Sequence, residues 1–213
     1  MAGRGGTWAK VPAIAELLEE YRFVVFIDRD AFFNHMEVPI EWLFNRWNIT
    51  EQTSLSIPLD VLFRDGNATL DRQGRRIQNN GFIIAQRSDR TKEILKAWGT
   101  CYDDKKYPGC SHWKDRWGHE QSAFAEFVRY EFNREHDVLE IPCEDANGYP
   151  EKGRYIKSDC NGDFVRHYWV RKHFAKPAIS NSILQSIAVR LQSEILKEKD
   201  KVLYDESLSG DSL

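Results

Sequence analysis

The chain has 213 residues, of which 41% are hydrophobic and 30% are charged, so it is long enough to bury one sizeable core. A net charge of -3 at pH 7 argues against a nucleic-acid-binding domain, because such domains are usually basic. An aromatic content of 13% excludes an intrinsically disordered chain. No apolar run reaches the roughly 18 residues that span a bilayer, and the first residues lack the apolar stretch of a signal peptide.

Hydrophobic periodicity predicts helices that alternate with strands along the chain. We expect helices at 12–21, 39–47, 89–101, 118–133 and 179–200, and strands at 23–27, 81–85, 138–141 and 163–169. Ser88 is the candidate cap of the helix at 89–101. Residues 53–63 are typical of a strand that Pro58 interrupts, 64–76 of an exposed hairpin or loop, and 102–116 of an irregular loop. This alternation indicates an α/β domain.

The C-terminal part is predicted to differ from the rest. We expect one domain over 7–175 and, over 176–213, an amphipathic helix followed by a frayed, flexible tail. The apolar positions of that helix are Ile183, Leu184, Ile187, Leu191 and Ile195. Their helical spacing predicts an apolar face.

Two features are typical of secreted chains. N-glycosylation sequons occur at Asn48–Thr50 and Asn67–Thr69. The four cysteines are Cys101, Cys110, Cys143 and Cys160. Their spacings are too wide for a zinc site of the C-x-x-C type. Pairing the first with the second and the third with the fourth is one of three connectivities, and four buried free thiols are the alternative.

A pair of carboxylates follows the first predicted strand, in the stretch FVVFIDRDAFF at 23–33. Asp28 and Asp30 are two residues apart, and side chains with that spacing on a strand point the same way. Ligands of open α/β sheets bind outside the carboxyl ends of strands, so this pair is suited to a hard divalent cation such as Mg²⁺ or Mn²⁺. The alternative is that either carboxylate caps a turn or pairs with a nearby arginine.

The stretch IDRDA resembles the DxD motif of glycosyltransferases with the GT-A fold, and WAKVPAIAELL at 8–18 is similar to the family's preceding stretch. More specifically, it resembles the manganese-dependent retaining enzymes that include the yeast and plant galactosyl- and xylosyltransferases. The resemblance implies a GT-A-like mixed sheet flanked by helices. It also implies that Asp28 and Asp30 ligate the metal and that Asp28 and Arg29 lie beside the donor sugar and diphosphate.

A second stretch, NNGFIIAQRS at 79–88, resembles an Asn-Gly element that opens a strand lining the donor sugar in this family. Asn80 offers both a donor and an acceptor to a sugar hydroxyl, and Gly81 allows a ligand to approach the backbone. An ordinary turn is the alternative, because Asn-Gly is also a strong hairpin signal.

A third stretch, HEQSAFAEFV at 119–128, resembles the family's Asp-Gln-Ser element at a helix start, with Glu120 in place of the usual Asp. The resemblance implies that Glu120 binds sugar hydroxyls and that Gln121 lies near the anomeric carbon. Helix capping and dipole compensation are the alternative for Glu120. Trp113 and Trp117 precede this element, and an aromatic ring there either stacks on an acceptor sugar or takes part in ordinary packing.

A fourth stretch, FVRHYWVRK at 164–172, resembles the family's closing element, in which a metal-ligating His is followed five residues later by a Lys that meets the diphosphate. His167 and Lys172 have this spacing. A neutral imidazole is a suitable Mn²⁺ ligand, and an ammonium offsets charge on a leaving phosphate. A structural histidine is the alternative. The remaining histidines, predicted to be surface or loop residues, are His35, His112, His119, His136 and His173.

The resemblance implies a glycosyltransferase that uses Mn²⁺ or Mg²⁺ to move a hexose or pentose from a UDP- or GDP-sugar to a glycan or protein-linked acceptor. It extends over residues 7–175. In the family, elements that bind the nucleoside and an N-terminal membrane anchor precede this stretch. The fold is therefore expected to be N-terminally truncated, with residence in the Golgi or secretory lumen and membrane contact only through such an anchor.

Two other functions are compatible with parts of the sequence. A catalytically inactive transferase fold that serves as a binding module would retain the same motifs without turnover. The stretch FVVFIDRDAF also resembles the nucleophile loop of haloacid-dehalogenase-type phosphatases, but that loop requires Thr or Val where Phe32 stands.

Overall fold

The structure is a computed structural model that describes residues 6–63, 66–149, 158 and 160–202. The helices are α1 (Lys10–Glu20), α2 (Ile40–Arg46), α3 (Asp89–Gly99), α4 (His119–Ala123), α5 (Arg129–Glu131), α6 (Cys143–Ala146), α7 (Ala175–Lys197) and α8 (Lys199–Val202). The strands are β1 (Phe23–Ile27), β2 (Ala31–Phe33), β3 (Leu55–Pro58), β4 (Phe82–Gln86), β5 (Val138–Ile141) and β6 (Val165–His167). A π-helical segment, Phe124–Val128, joins α4 to α5.

The strands of the described residues form a mixed four-stranded sheet and a two-stranded ribbon. The sheet order is β1-β4-β3-β5, with β4 antiparallel to both of its neighbours and β3 parallel to β5. The strands β1, β3 and β5 therefore end at the same edge of the sheet, where β4 begins. We call this the carboxyl edge. In the ribbon, β2 pairs with β6 in antiparallel register.

The central strand β4 is buried on both faces of the sheet, and all five of its residues are buried. Ile83 and Ala85 join a cluster with residues of α1 and α3, whereas Phe82 and Ile84 join a second cluster with residues of α2. This alternation follows from the two-residue period of a strand. Burial of an isoleucine side chain such as that of Ile83 or Ile84 contributes about 1.5–3 kcal/mol to the stability of the fold. Helices thus flank a mixed sheet, which confirms the predicted fold class.

Local signals placed several boundaries correctly. Ser88 caps α3, because its hydroxyl accepts a hydrogen bond from the backbone amide of Thr91 at 3.0 Å. Such a cap contributes about 1 kcal/mol. The strands at 23–27 and 138–141 have the predicted bounds. The predicted helix at 118–133 instead contains the π-helical segment, and the predicted strand at 163–169 is shortened to β6.

The segment predicted as an exposed hairpin or loop at 64–76 is anchored to the body. Residues 64–65 lie outside the described residues. In the remainder, Asp71 is buried because it forms an ion pair with Arg129 and accepts a hydrogen bond from the Tyr130 hydroxyl at 2.5 Å. A carboxylate with two such partners can be buried at tolerable cost, so the prediction of an exposed segment is wrong at this residue.

The helix α7 begins four residues earlier than predicted, at Ala175. Its buried residues are Ala175 and Ser182, and Ser182 Oγ donates to the carbonyl of Phe33 at 3.2 Å. The predicted apolar positions remain largely exposed, with Leu184 at 64%. No helix within the described ranges is long and apolar enough to cross a membrane. The predicted frayed tail, residues 205–213, lies outside the described residues.

The four cysteines form two disulfides, Cys101–Cys110 and Cys143–Cys160. The alternative of four free thiols is therefore wrong. Both sequon asparagines, Asn48 and Asn67, are exposed.

Candidate active site

The carboxyl edge gathers polar residues from several strands. Asp28 directly follows β1, Asp60 follows β3 by two residues, and Asn147 follows β5 through the short helix α6. At the start of β4, the carbonyl of Gly81 accepts a hydrogen bond from the amide of Asp28 at 2.8 Å. Because ligands of open α/β sheets bind at this edge, the polar residues mark the candidate site.

The two aspartates lie on a turn and not on one continuous strand. β1 ends at Ile27, and the amide of Ala31 donates to the carbonyl of Asp28 at 2.9 Å to close the turn. The predicted geometry of two side chains on a strand is therefore wrong. Asp30 and His167 are brought together by the two-stranded ribbon instead, because its register pairs Ala31 with His167 and places the imidazole beside Asp30.

Asp28, Asp30 and His167 together form a possible metal site. His167 Nε2 lies 3.4 Å from Asp30 Oδ1 and 3.9 Å from Asp28 Oδ2. One candidate ligand atom from each residue lies within 4.8 Å of the others. Two carboxylate oxygens and one imidazole nitrogen form a donor set that suits Mn²⁺, and the residues present therefore fit the metal that the resemblance implies.

Lys172 contacts one of these two carboxylates, that of Asp30. Its Nζ lies 2.7 Å from Asp30 Oδ2, and more than half of its side chain is exposed. Burial raises the pKa of Asp30, but the contacts with His167 and Lys172 outweigh it and hold the pKa of that carboxyl well below its usual value. Asp30 is therefore an ionised acceptor over the whole physiological pH range.

Lys10 is a buried cation that sequence reasoning missed. Its Nζ lies 3.2 Å from Asp28 Oδ1 and 3.1 Å from Glu120 Oε1, and it donates to the carbonyl of Asn80 at 2.9 Å. A sequence signal existed, because Lys10 is spaced by four residues from Ile14 and shares the buried face of α1. A buried ammonium is stable only when it is paired, and here it ties the carboxylate pair to the Glu-Gln element.

Glu120 and Gln121 lie at the start of α4. The carbonyl of Glu120 accepts from Trp98 Nε1 at 2.8 Å, which ties this helix start to α3. Gln121 Oε1 accepts from the backbone amide of Asn80 at 3.1 Å. Compensation of the helix dipole, the alternative role predicted for Glu120, is therefore incomplete, because its carboxylate also pairs with Lys10.

Arg29, Asn80 and Gly81 are placed differently from the other predicted site residues. Arg29 is exposed outside the cavity, and the Asn80 side chain is buried without lining it. Gly81 lies against His167, where a Cβ atom would be only 2.2 Å from the ring atom Cε1. The neighbouring residue Asn79 lines the cavity and donates through Nδ2 to Asp60 Oδ1 at 3.0 Å. Neither Asn79 nor Asp60 was singled out from the sequence.

A cavity of about 660 Å³ opens at this edge. Its polar residues include Lys10, Asp28, Asp30, Asp60, Asn79, Glu120, Gln121, His167 and Lys172. Its aromatic residues include Trp113, Trp117 and Trp169. The cavity is therefore large enough for a sugar together with part of a diphosphate and combines charged groups with aromatic surfaces. His119 also lines it, so the prediction of a surface or loop role for this histidine is incomplete.

The comparisons with known proteins concern the fold. No protein-family model matches the chain, and no curated protein matches it. Among solved structures, the chain is similar to a glycosyltransferase involved in the glycosylation of the major capsid of PBCV-1, with 14% identity and a TM-score of 0.53. The alignment covers 79% of this chain and 74% of that chain. At this identity the likeness shows a shared fold and nothing further.

Proposed function

We propose that the chain is a metal-dependent glycosyltransferase that moves a hexose or pentose from a nucleotide-diphosphate sugar to a glycan or protein-linked acceptor. The observation that carries the proposal is the convergence of Asp28, Asp30 and His167 at one edge of a glycosyltransferase fold, with Lys172 beside them. A donor set of this kind holds a cation against phosphate oxygens. The nucleotide is a UDP or GDP moiety by resemblance alone.

Each residue would have a distinct task. Asp28, Asp30 and His167 would hold Mn²⁺ or Mg²⁺, which neutralises the diphosphate when bound. Lys172, exposed at the same place, exchanges its contact with Asp30 for one with a phosphate oxygen and offsets the charge that grows as the nucleotide leaves. Arg29 would add positive charge outside the cavity.

The sugar would be held on the other side of Lys10. Glu120 and Gln121 line the cavity and offer oxygen and amide groups to sugar hydroxyls. We call Glu120 and Gln121 the proposed sugar wall. Asn80 and Gly81 would support the site without lining it: the backbone amide of Asn80 donates to Gln121, and Gly81, which has no Cβ atom, leaves space for the His167 ring. The bond from the anomeric carbon to the diphosphate oxygen breaks and leaves its electron pair on that oxygen, while the acceptor oxygen bonds to the carbon and passes its proton to the departing diphosphate oxygen. We propose retention of configuration, as the resemblance implies.

A metal-free binding module is the second candidate. It is favoured by the two ammonium groups that already contact the carboxylates, Lys10 at Asp28 and Lys172 at Asp30. In that case the two ammonium groups would offset part of the carboxylate charge in place of a cation, and the cavity would bind a glycan or nucleotide without turnover.

The two candidates differ in their response to Mn²⁺. We would measure Mn²⁺ binding by electron paramagnetic resonance and donor hydrolysis over a panel of UDP- and GDP-sugars, for the wild type and Asp30→Asn. The transferase hypothesis predicts that the variant loses Mn²⁺ affinity and hydrolysis by about 100-fold or more while keeping its fold. Asp89→Asn, at an exposed residue in the first turn of α3, is the matched control. Full activity in Asp30→Asn would sink the metal assignment, and a wild type that binds no Mn²⁺ would support the binding module.

A further inference from the structure

The turn that precedes Glu120 has features that the proposed chemistry does not require. Trp117 is 85% exposed although it lines the cavity. Gly118 and His119 follow it with φ angles of 96° and 35°. His119 also lines the cavity, and its Nδ1 is buried without a hydrogen-bond partner among the described residues. An exposed indole, a left-handed backbone and an unpartnered imidazole nitrogen therefore occur in three consecutive residues.

The backbone of this turn is strained. A residue other than glycine with a positive φ costs about 1–3 kcal/mol and persists only where the surroundings impose it. Here His119 adopts that conformation directly after Gly118, at which a Cβ atom would lie 2.2 Å from Ser122 Oγ. Such strain concentrates at ligand clamps and active sites, so the conformation of His119 indicates a binding role for this turn.

Hydrogen bonds hold the turn rigidly in place. The amide of His119 donates to the carbonyl of Arg116 at 2.9 Å, and the amide of Ser122 donates to the carbonyl of Gly118 at 2.9 Å. One residue further on, the carbonyl of Glu120 is held by Trp98. The backbone that carries the Trp117 indole is therefore held in place. A backbone that is already ordered needs little further ordering when a ligand binds.

We propose that Trp117 and His119 form the acceptor subsite and that the acceptor presents a neutral pyranose ring to the Trp117 face. The proposal rests on the proposed function, because it assigns the second substrate of the same cavity. The face of an indole carries negative potential and attracts the weakly positive C–H groups on one face of a pyranose. The His119 imidazole can reorient and form a hydrogen bond with a ring hydroxyl, because this breaks no hydrogen bond of Nδ1 to the described residues.

We assign the subsite of Trp117 and His119 to the acceptor and not to the donor nucleotide because of its position in the cavity. Trp117 is three residues from Glu120, so their Cα atoms are at most about 11 Å apart. Glu120 and Gln121 belong to the proposed sugar wall, and the acceptor hydroxyl must approach the anomeric carbon at that wall. The diphosphate is attracted instead to Lys172 and the proposed metal, next to Asp30. Neither Trp117 nor His119 carries a permanent charge that would attract phosphate.

The test separates carbohydrate binding from donor binding. We would titrate the chain with methyl glycosides of hexoses and pentoses and with short oligosaccharides, without donor, using saturation-transfer NMR and calorimetry. In parallel we would measure the dissociation constants of UDP and GDP in the presence of Mn²⁺. The variants are Trp117→Ala, Trp117→Tyr, which keeps an aromatic face, and His119→Asn, which tolerates a positive φ. Trp42→Ala, at a partly exposed tryptophan outside the cavity, is the matched control.

We expect Trp117→Ala to weaken binding of the best carbohydrate ligand by about tenfold, which corresponds to about 1.4 kcal/mol. Trp117→Tyr should recover most of the affinity, His119→Asn should lose about threefold, and nucleotide binding should be unchanged in all three. The proposal is overturned if no carbohydrate of the panel binds the wild type or if Trp117→Ala binds it normally. It is also overturned if Trp117→Ala weakens nucleotide binding instead, because the indole would then serve the nucleobase. Carbohydrate binding that depends on Trp117 without any Mn²⁺-nucleotide binding would leave this subsite standing and refute the proposed transferase.

Discussion

His167 Nδ1 lies 3.1 Å from Asn147 Oδ1, and this contact determines which ring nitrogen faces the carboxylate pair. Asn147 Nδ2 lies 3.3 Å from the carbonyl of Leu59 and 3.4 Å from Asp60 Oδ1. Those two oxygens can only accept, so the amide nitrogen of Asn147 must point to them. Its oxygen then accepts from Nδ1–H of His167, which leaves Nε2 facing Asp28 and Asp30 as the nitrogen that would bind the proposed metal.

Replacing Asn147 by Leu should therefore release the orientation of His167. We expect Mn²⁺ affinity to fall by about 10- to 100-fold, the usual effect of removing a partner of a metal-ligating histidine. Nitrogen-15 NMR of the imidazole should show that Nδ1 no longer carries the proton in the major tautomer of the neutral ring. Asn34→Leu, which removes an exposed amide bonded to the carbonyl of Asp163 at 3.1 Å, should change neither measurement. An unaltered tautomer together with unaltered affinity would show that Asn147 does not position His167.

Gly81 supplies the space in which the His167 ring lies. A Cβ atom at this position would lie 2.2 Å from Cε1 and 2.6 Å from Nδ1 of the ring, so Gly81→Ala must displace the imidazole. We expect a loss of about 1–3 kcal/mol in the free energy of unfolding, as in other overpacked sites, together with loss of Mn²⁺ binding. Urea unfolding and paramagnetic resonance measure the two effects.

Gly99→Ala is the control for this substitution. A Cβ atom at Gly99 would meet only Val11 Cγ1, at an ordinary 3.5 Å, and the residue lies at the end of α3. Its stability should be equal to that of the wild type or higher by up to about 1 kcal/mol. Equal behaviour of the two alanine variants would contradict the close approach of Gly81 to His167.

Asp137 should contribute stability that depends on pH. It accepts hydrogen bonds from Arg90 Nε at 2.7 Å and Nη2 at 2.6 Å. Burial raises the pKa of Asp137, but these bonds, with one from the amide of Arg134, outweigh it and hold the pKa below its usual value of 3.8. A lower pKa in the folded state means that the stabilisation is present above the unfolded pKa and is lost as the pH falls through the folded pKa.

Asp137→Asn should therefore cost about 2 kcal/mol at pH 7, and the difference from the wild type should shrink below about pH 4. Urea unfolding at a series of pH values from 2 to 7 measures it. Glu194→Gln, at an exposed residue paired with Lys197 on α7, should leave the stability unchanged throughout. A difference between Asp137→Asn and the wild type that stayed constant down to pH 2 would refute the assigned role of the ion pair.

The disulfide Cys143–Cys160 should be the more stabilising of the two. Its cysteines are 17 residues apart, against 9 for Cys101–Cys110, and a longer closed loop restricts the unfolded chain more strongly. Replacing Cys143 and Cys160 together by Ala should lower the free energy of unfolding by about 3 kcal/mol. The matching replacement of the other pair should cost about 0.6 kcal/mol less. Thermal and urea unfolding of the two double variants under non-reducing conditions give the comparison, and the reverse order would contradict it.

Much of the secondary structure could be predicted because the signals are local. The apolar run at 23–27 forms β1, and Ser88 caps α3 through a backbone amide three residues away. The order of the motifs also led to the residues that the structure brings together, Asp28, Asp30 and His167. The prediction of an exposed segment at 64–76 failed at Asp71, because its partners Arg129 and Tyr130 lie far along the chain and leave no local signal.

Residue types and spacings of a few positions were enough to predict the α/β class, the carboxylate pair and the candidate donor atoms. How those donor atoms meet depends on the tertiary structure. The pairing of Ala31 with His167, the burial of Lys10 between Asp28 and Glu120, and the orientation of His167 by Asn147 all join distant parts of the chain. Such contacts are set by strand register and by packing of the whole sheet, and neither is encoded in the period of any single segment.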